Sequence, residues 1–274
     1  MRPIEETTVL ITGATDGLGR GVARDLHARG ARVLLHGRDP EKLAALSEAL
    51  RGAPAYRADL ASLEEVRGLA AEVEQTNDAL HVLISNAGIG SGLPDGRARQ
   101  ESRDGHELRL AVNHLAGFLL TLRLLLLLRR SAPARIVHVA SLGQAPMDFD
   151  DPMLHRGYSG TRAYGQSKLA QITAGFELAS RLDPAEVTVT SLHPSTYMPT
   201  KMVLEERGSA VDTLEAGVAA TVRLAIDPAL EGVTGRFYDR QAESAAHPQA
   251  SDPDARRRLW TLSLELTDER EPAF

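Results

Sequence analysis

The stretch Thr8-Val9-Leu10-Ile11-Thr12-Gly13-Ala14-Thr15-Asp16-Gly17-Leu18-Gly19 decides how the chain folds. Its first four residues are β-rich and apolar and read as a short buried strand. The glycines follow at once, and an amphipathic pattern through Val22, Leu26 and Ala28 then reads as a helix stopped by Gly30. Strand, glycine-rich turn and helix form the context in which a glycine pattern becomes a phosphate site. Glycines let the backbone approach a pyrophosphate, and the helix start supplies N–H donors and a positive dipole end. The spacing is Gly-x-x-x-Gly-x-Gly rather than the more widespread Gly-x-Gly-x-x-Gly. A plain tight strand-to-helix turn is the competing reading.

The same alternation continues downstream. Arg32-Val33-Leu34-Leu35-His36 reads as a second strand, followed by Gly37-Arg38-Asp39 and a helix opening at Pro40. The tip of that strand is where such folds read the adenosine ribose, with Arg suited to a 2′-phosphate and an acid to a free hydroxyl. Arg38 therefore favours NADP(H), while Asp39 beside it keeps NAD(H) open or simply caps the helix. Pro54–Ala58 is a third strand reaching Asp59-Leu60, with a helix from Ser62 to about Gln75 and Glu65 at capping-box spacing. His81–Ser85 is a fourth, ending at Asn86-Ala87-Gly88. Repeated strand–helix units imply a parallel sheet covered on both faces, with ligands at the carboxyl ends of its strands. Gly13, Arg38, Asp59 and Asn86 all fall at such ends.

Residues 90–105 are a polar loop, and a long apolar helix from about His106 to Arg130 follows, with Asn113, a poor helix former, in its middle. Arg135–Ala140 is a fifth strand with Ser141 at its end, and Val187–Leu192 a sixth that ends at His193-Pro194-Ser195. Between them a long connection over 142–160 leads to Tyr164-Gly165-Gln166-Ser167-Lys168. A phenol and an ammonium four positions apart share a helix face, and the cation is expected to lower the phenol's pKa towards neutrality. Alone, such a pair is as readily a solvated lysine beside a half-packed tyrosine. A helix over Thr213 to about Ile226, a seventh strand at Thr234–Tyr238, and a closing helix with a frayed tail over 241–274 complete the chain.

Composition narrows the function. The 274 residues are 43% hydrophobic and 25% charged with net charge −6, which leaves no electrostatic footprint for nucleic acid or an anionic membrane. The absence of cysteine excludes disulfides, thiolate catalysis and cysteine-based zinc sites. The nine histidines show no metal-ligand pairing. The most apolar window, Leu115–Leu128, contains Arg123 and is shorter than a bilayer span needs, and the acidic start is not a signal peptide, so a cytoplasmic location is expected.

Thr12–Gly19, Asp59-Leu60, Asn86-Ala87-Gly88, Asn113, Ser141, Tyr164 with Lys168, and Pro194 occur in register over residues 8–200. In that order they resemble the short-chain dehydrogenase/reductase family. Asp148–Asp151, Arg156-Gly157-Tyr158, Arg162-Ala163-Tyr164 and Gly235–Asp239 resemble its retinol-dehydrogenase and WW-domain-oxidoreductase branch. The resemblance implies a single α/β Rossmann domain over 1–274, with a doubly wound, mostly parallel, seven-stranded sheet. About 8–200 would bind cofactor and carry the chemistry, and about 195–274 would form the substrate side.

The resemblance also implies roles. Tyr164 would be the general acid in reduction and the base in oxidation, Lys168 would hold the nicotinamide ribose, and Ser141 would bind the substrate oxygen. Asn113 would hold a water that relays protons to Lys168. Gly13, Leu18 and Gly19 would meet the pyrophosphate, Asp59 and Leu60 the adenine, and Asn86, Ala87 and Gly88 the adenosine ribose side. Gly17 belongs to the same turn, and Asp16 beside it stands where NADP-specific members often carry a base. Pro194 would lie beside the nicotinamide carboxamide. Ser195 replaces the usual glycine, and the longer stretch Thr196–Thr200 leaves either Thr196 or Thr200 to touch the cofactor. Met147, Phe149, Tyr158, Tyr197, Met198 and Met202 either pack the core or line a cleft for an apolar alcohol or carbonyl compound. A homo-oligomer would use the leucine-rich helix and the Tyr164 helix, through Ile172 and Phe176. An NADP(H)-dependent oxidoreductase and a non-catalytic dinucleotide-sensing protein share this fold, as does an NAD(H)-dependent enzyme.

Overall fold

In a computed structural model, which describes residues 2–92, 96 and 98–274, strand and helix alternate from the start of the chain. β1 (Thr8–Ile11), α1 (Gly17–Ala28), β2 (Arg32–Gly37), α2 (Pro40–Ala49), β3 (Ala55–Arg57), α3 (Leu63–Thr76) and β4 (Val82–Ser85) form the first half. The second half contains α4 (Leu108–Leu110), a π-helical turn (Ala111–Leu115), α5 (Ala116–Arg130), β5 (Ala134–Val139), α6 (Gly160–Ala179) and β6 (Val187–His193). It closes with α7 (Lys201–Arg207), α8 (Leu214–Ile226), β7 (Arg236–Asp239), β8 (Ala242–Ser244), α9 (Pro248–Ser251) and α10 (Pro253–Thr267).

The sheet runs β3-β2-β1-β4-β5-β6-β7-β8, and all neighbours are parallel except β7 with β8. Strand order reverses between β1 and β4, the switch point at which doubly wound sheets bind ligands. Period-two alternation divides the apolar residues between two cores. Leu10, Leu34, Leu83 and Ile136 face α3, α5 and α6, while Val9, Ile11, Val33 and Ile84 face α1, α2 and α8. β1, β4 and β6 are buried on both faces, which is why they are apolar or small up to His193 at the end of β6.

Three expectations need correction. The sheet has eight strands rather than seven, because Arg240-Gln241 turns the chain into an antiparallel edge strand. Arg240 takes φ +55° there, and the polar Ala242-Glu243-Ser244 carries no strand pattern of its own. The long helix, Leu108–Arg130, has 23 residues and is long and apolar enough to cross a membrane, although most of it is buried here against α3, α6 and the sheet. The carboxyl-terminal tail is fastened rather than frayed. Glu269 accepts hydrogen bonds from Arg67 and Arg123, and Glu271 accepts from Trp260.

α9 and α10 cover α6. Ile172 is wholly buried and Phe176 partly so, both beside Phe237 and Ala250 of the same chain. Trp260 stacks edge-on against Phe118 with ring centroids 5.0 Å apart. Ile172, expected to face a partner, is thus covered by the chain's own carboxyl-terminal segment, whereas Phe176 and, on α5, Leu126 keep exposed surface.

Three buried histidines are held neutral by loss of solvation. His36 and His138 are pushed down to about 4 and His114 to about 3. An unfolded histidine takes a proton near 6.5. Between that value and the folded ones, therefore, only the unfolded chain binds the proton, and acid favours unfolding. Stability should be full above about pH 6.5 and fall towards pH 4, by up to about 1.4 kcal/mol per pH unit for each histidine. Urea midpoints measured from pH 7.5 to 4.5 check this, and a flat profile would contradict it.

Candidate active site

The glycine-rich turn is shaped by its neighbours at the switch point. The Thr12 hydroxyl accepts from the backbone N–H groups of Asn86 and Ala87, both at 3.0 Å. The Asn86 amide donates to Thr12 O at 2.8 Å and Gly13 O at 3.2 Å. His36 Nδ1 accepts from Gly13 N, while its Nε2 lies 3.1 Å from Ala58 O, so the neutral ring bridges turn and β3 exit. Gly13 and Gly17 have φ of +65° and +47°, and a Cβ at Gly19 would fall 2.2 Å from Gly13 O. Asp16 caps α1 through Gly17 N and pairs with Lys42 at 3.3 Å, and Leu18 turns into the core.

Along the rim, Arg38 is exposed, and Arg57 reaches its backbone carbonyl at 3.3 Å. Two guanidinium groups and Lys42 therefore share the tip of β2. Asp39 is the N-cap of α2, accepting from Glu41 N and Lys42 N. Asp59 is half-buried, accepts from Ala61 N and lies 3.9 Å from Arg103, while Leu60 is buried. Glu65 accepts from Asp59 N rather than closing a capping box with Ser62, whose hydroxyl caps α3 together with the Asp104 carboxylate, which accepts from Leu63 N.

At the other end, Ser141 follows β5 and faces Tyr164: a Cβ on Gly143 would lie 3.4 Å from Ser141 Oγ and 3.6 Å from Tyr164 Cε1. The expected lowering of the Tyr164 phenol's pKa is absent. Burial pushes it up, the Ser141 hydroxyl offsets this in part, and Glu206 and Tyr197 push it further up. Lys168 does not oppose these effects, because its Nζ turns to Val139 O at 2.8 Å and Gln171 Oε1 at 3.3 Å. Burial brings the Lys168 ammonium down to about 8.

Asn113 explains the π-helical turn that interrupts the long helix. Its Oδ1 accepts from Ile89 N at 2.8 Å, and its Nδ2 donates to Ile89 O at 3.1 Å and Ser167 Oγ at 2.9 Å. Ser167 in turn donates to Tyr164 O. A Cβ at Gly88 would sit 3.0 Å from Asn113 Oδ1 and 3.5 Å from Lys168 Nζ. Asn86, Ala87 and Gly88 thus run from the phosphate turn directly to the proton-carrying group.

With that geometry in place, comparison is informative. The family described as short chain dehydrogenase matches residues 7–209. This chain belongs to that family. It is 34% identical to human retinol dehydrogenase 13, a match covering 97% of this chain and 86% of that protein. A solved structure from Mycobacterium paratuberculosis superposes with TM-score 0.78 at 28% identity, covering 98% of this chain and 96% of that one. The Pseudomonas aeruginosa RhlG/NADP complex gives TM-score 0.69 at 26% identity over 87% of this chain and 97% of that one. The chain falls in the retinol-dehydrogenase-like branch and is an oxidoreductase acting on CH–OH groups with a nicotinamide dinucleotide.

The remaining segments of this short chain dehydrogenase depart from the simplest reading. Pro194 is buried just past β6. Thr196 lies 3.1 Å from His193 Nε2, whereas the methyl of Thr200 would lie 3.0 Å from a Cβ on Gly17. Thr200, not Thr196, is brought to the glycine turn, because Thr200 caps α7. Met147 and Met198 are buried in the cores, and Tyr158 hydrogen-bonds Arg109 and Glu107, so these three serve packing. Phe149 lies under Arg258, and Tyr197 is exposed. The Met202 side chain lies outside the described residues.

Sequence reasoning missed several supporting groups. Arg109, fully buried, holds the loop after β4 through Gly90 O at 2.8 Å and Ser91 O at 3.0 Å. Glu206 of α7 accepts from Gly92 N at 2.6 Å and Ser91 Oγ, closing α7 onto the same loop. His36 and Ser167 act through neighbours far away in sequence. Only the polar residue at an otherwise apolar position, as with His36 in β2, could have flagged any of them.

Gly19→Ala places a methyl group on Gly13 O and should widen the turn. Dinucleotide affinity, read by quenching of Trp260 or by calorimetry, should fall by about tenfold or more, roughly 1.4 kcal/mol. Unchanged affinity would show that the turn tolerates a side chain there.

Proposed function

We propose that the chain is an NADP(H)-dependent oxidoreductase that interconverts an alcohol and its ketone or aldehyde on a mostly apolar small molecule, with Tyr164 as acid and base. The observation that carries this reading is the juxtaposition of Ser141 and Tyr164, both beside Gly143, with Lys168 one helical turn on and adjoining Gly88 at the switch-point edge.

The residues present suit the dinucleotide. Gly13 and Gly17 adopt positive φ at the start of α1, and a side chain at Gly17 or Gly88 would press on Thr200, or on Asn113 and Lys168. Gly13 to Gly19 would receive the pyrophosphate and Arg38 the 2′-phosphate, with Asp59 at the adenine and Asn86 to Gly88 along the ribose. Lys168 would hold the nicotinamide ribose, with Pro194 and Thr200 flanking the ring. Arg38 is supported by Arg57 beside it, and the acids that would favour a free ribose hydroxyl are engaged. Asp39 caps α2, and Asp16 caps α1 and pairs with Lys42. The NADP in the RhlG complex is in keeping with this preference.

When bound, the cofactor supplies or accepts the hydride. The protein supplies one proton and a place for negative charge to develop. The Ser141 and Tyr164 hydroxyls converge on one point, where a carbonyl oxygen would be polarised from two sides. Burial keeps the phenol protonated at neutral pH, which suits it to donate a proton to that oxygen as the alcohol forms. In the reverse direction the same oxygen accepts the alcohol proton. The exposed Leu142, Tyr197 and Leu204 agree with an apolar substrate, as does the name of the human relative, a retinol dehydrogenase.

Tyr164→Phe should retain NADPH binding while turnover of a carbonyl panel falls about 10²–10⁴-fold. If the variant turns over like the parent, the assignment of Tyr164 is wrong. Binding of NADPH by the parent with no turnover of any alcohol or carbonyl would favour the non-catalytic, dinucleotide-sensing reading. Arg38→Asp should weaken NADP(H) about tenfold or more while sparing NAD(H), and equal loss for both would remove Arg38 as the phosphate reader.

A further inference from the structure

Beside Gln171 lies a small compartment that hydride transfer does not use. It is a cavity of about 20 Å³ with a largely apolar lining, into whose wall His114, Thr121, His138 and Gln171 bring polar atoms. A space of that size has room for a single water. Thr121 Oγ1 and His138 Nδ1 are both buried, and neither has a protein partner among the described residues.

Gln171 links this compartment to Lys168. It is 4% exposed and one turn beyond Lys168 on α6. Its Oε1 accepts from Lys168 Nζ at 3.3 Å, and its Nε2 donates to Ser85 O, at the end of β4, at 3.4 Å. Val139 O, at the end of β5, receives a second Lys168 proton at 2.8 Å. An ammonium has three protons and no acceptor. Two are thus engaged by neutral acceptors on α6 and β5, and the third is left for the side on which Gly88 lies 3.5 Å away, measured to a Cβ built there. The titratable groups around Lys168 are His138 on β5, His114 on the π-helical turn and Tyr164 on its own helix. Burial keeps both histidines neutral, so no second cation opposes the ammonium from the sheet.

We propose that Gln171 is a positioning residue: with Val139 O it aims the Lys168 ammonium at the cofactor side of the cleft and sets how readily Lys168 loses its proton. The inference rests on the reading of Lys168 as the cation of the hydride-transfer site. Its deciding measurement, however, needs neither cofactor nor turnover.

The chain has three lysines, Lys42, Lys168 and Lys201, so ¹³Cε-lysine labelling gives three NMR signals, and Lys168→Met assigns the one of interest. This signal is titrated with pH in the full-length chain without added dinucleotide, for the parent, Gln171→Met and Gln171→Glu. Loss of an acceptor in Gln171→Met should lower the Lys168 midpoint by about one pH unit, and a buried carboxylate in Gln171→Glu should raise it by at least as much. The pH profile of kcat/KM should move in the same two directions. Midpoints that coincide with the parent, or that move the same way in both variants, overturn the proposal. Should Gln171→Met fail to fold by circular dichroism, Gln171→Glu decides alone, and an unraised midpoint refutes it. Failure of Tyr164→Phe to abolish turnover would instead strike the site assignment and leave this titration standing.

Discussion

The clasp between Thr12 and Asn86 joins the two strands at which the sheet changes direction. Four hydrogen bonds cross it: two from the Asn86 and Ala87 backbones to the Thr12 hydroxyl, and two from the Asn86 amide to Thr12 O and Gly13 O. It fixes the glycine turn against the exit of β4, and that exit runs on through Gly88 to Asn113 and Lys168. A phosphate cradle and a proton-transfer group would otherwise sit on separate strand ends, free to drift by the ångström or so that costs catalysis dearly. Such side-chain bonds, each worth about 1 kcal/mol net, matter here less for stability than for register.

A second theme is how the fold keeps buried polar groups neutral or paired. Arg109 meets Glu107 at 3.8 Å and also donates to two carbonyls and to Tyr158. Leaving either charge unpaired in that setting would cost several kcal/mol. His36, His114 and His138 lose their protons instead. Lys168 is the exception, a buried cation whose pKa drops to about 8, held by two neutral acceptors. The same low dielectric raises the Tyr164 phenol, so two groups of similar proton affinity in water are driven apart, the phenol upward and the ammonium downward. That separation comes from burial and not from attraction between the pair.

The carboxyl-terminal third does more than complete a sheet. β8 extends the sheet edge while α9 and α10 cover the outer face of α6, with Trp260 pressed against Phe118 and capped by Arg181 at 4.6 Å. The helix that carries Tyr164 and Lys168 is thereby packed on both sides, and its side chains are held in register by Ser167 and Gln171. α7 is tied to the rest differently, through Glu206 to Ser91 and Gly92 and through Thr200 to Gly17.

The alternation of short apolar strands with amphipathic helices determined the doubly wound sheet, because period-two and period-3.6 patterns are local properties. The glycine spacing and the Tyr164–Lys168 step were legible for the same reason, as were Ser141 and Asn113 once their register was recognised. Local pattern could not disclose β8, whose residues are polar and which exists only because Arg240 accepts a left-handed turn. Nor could it assign Thr200 over Thr196, bury Ile172 beneath α9, or place Gln171 under Lys168, since each depends on elements far apart in sequence. The sign of the Tyr164 shift was misread on the same ground. Spacing along a helix reports which residues are near, but only the tertiary structure decides where the ammonium points and how much water each group keeps.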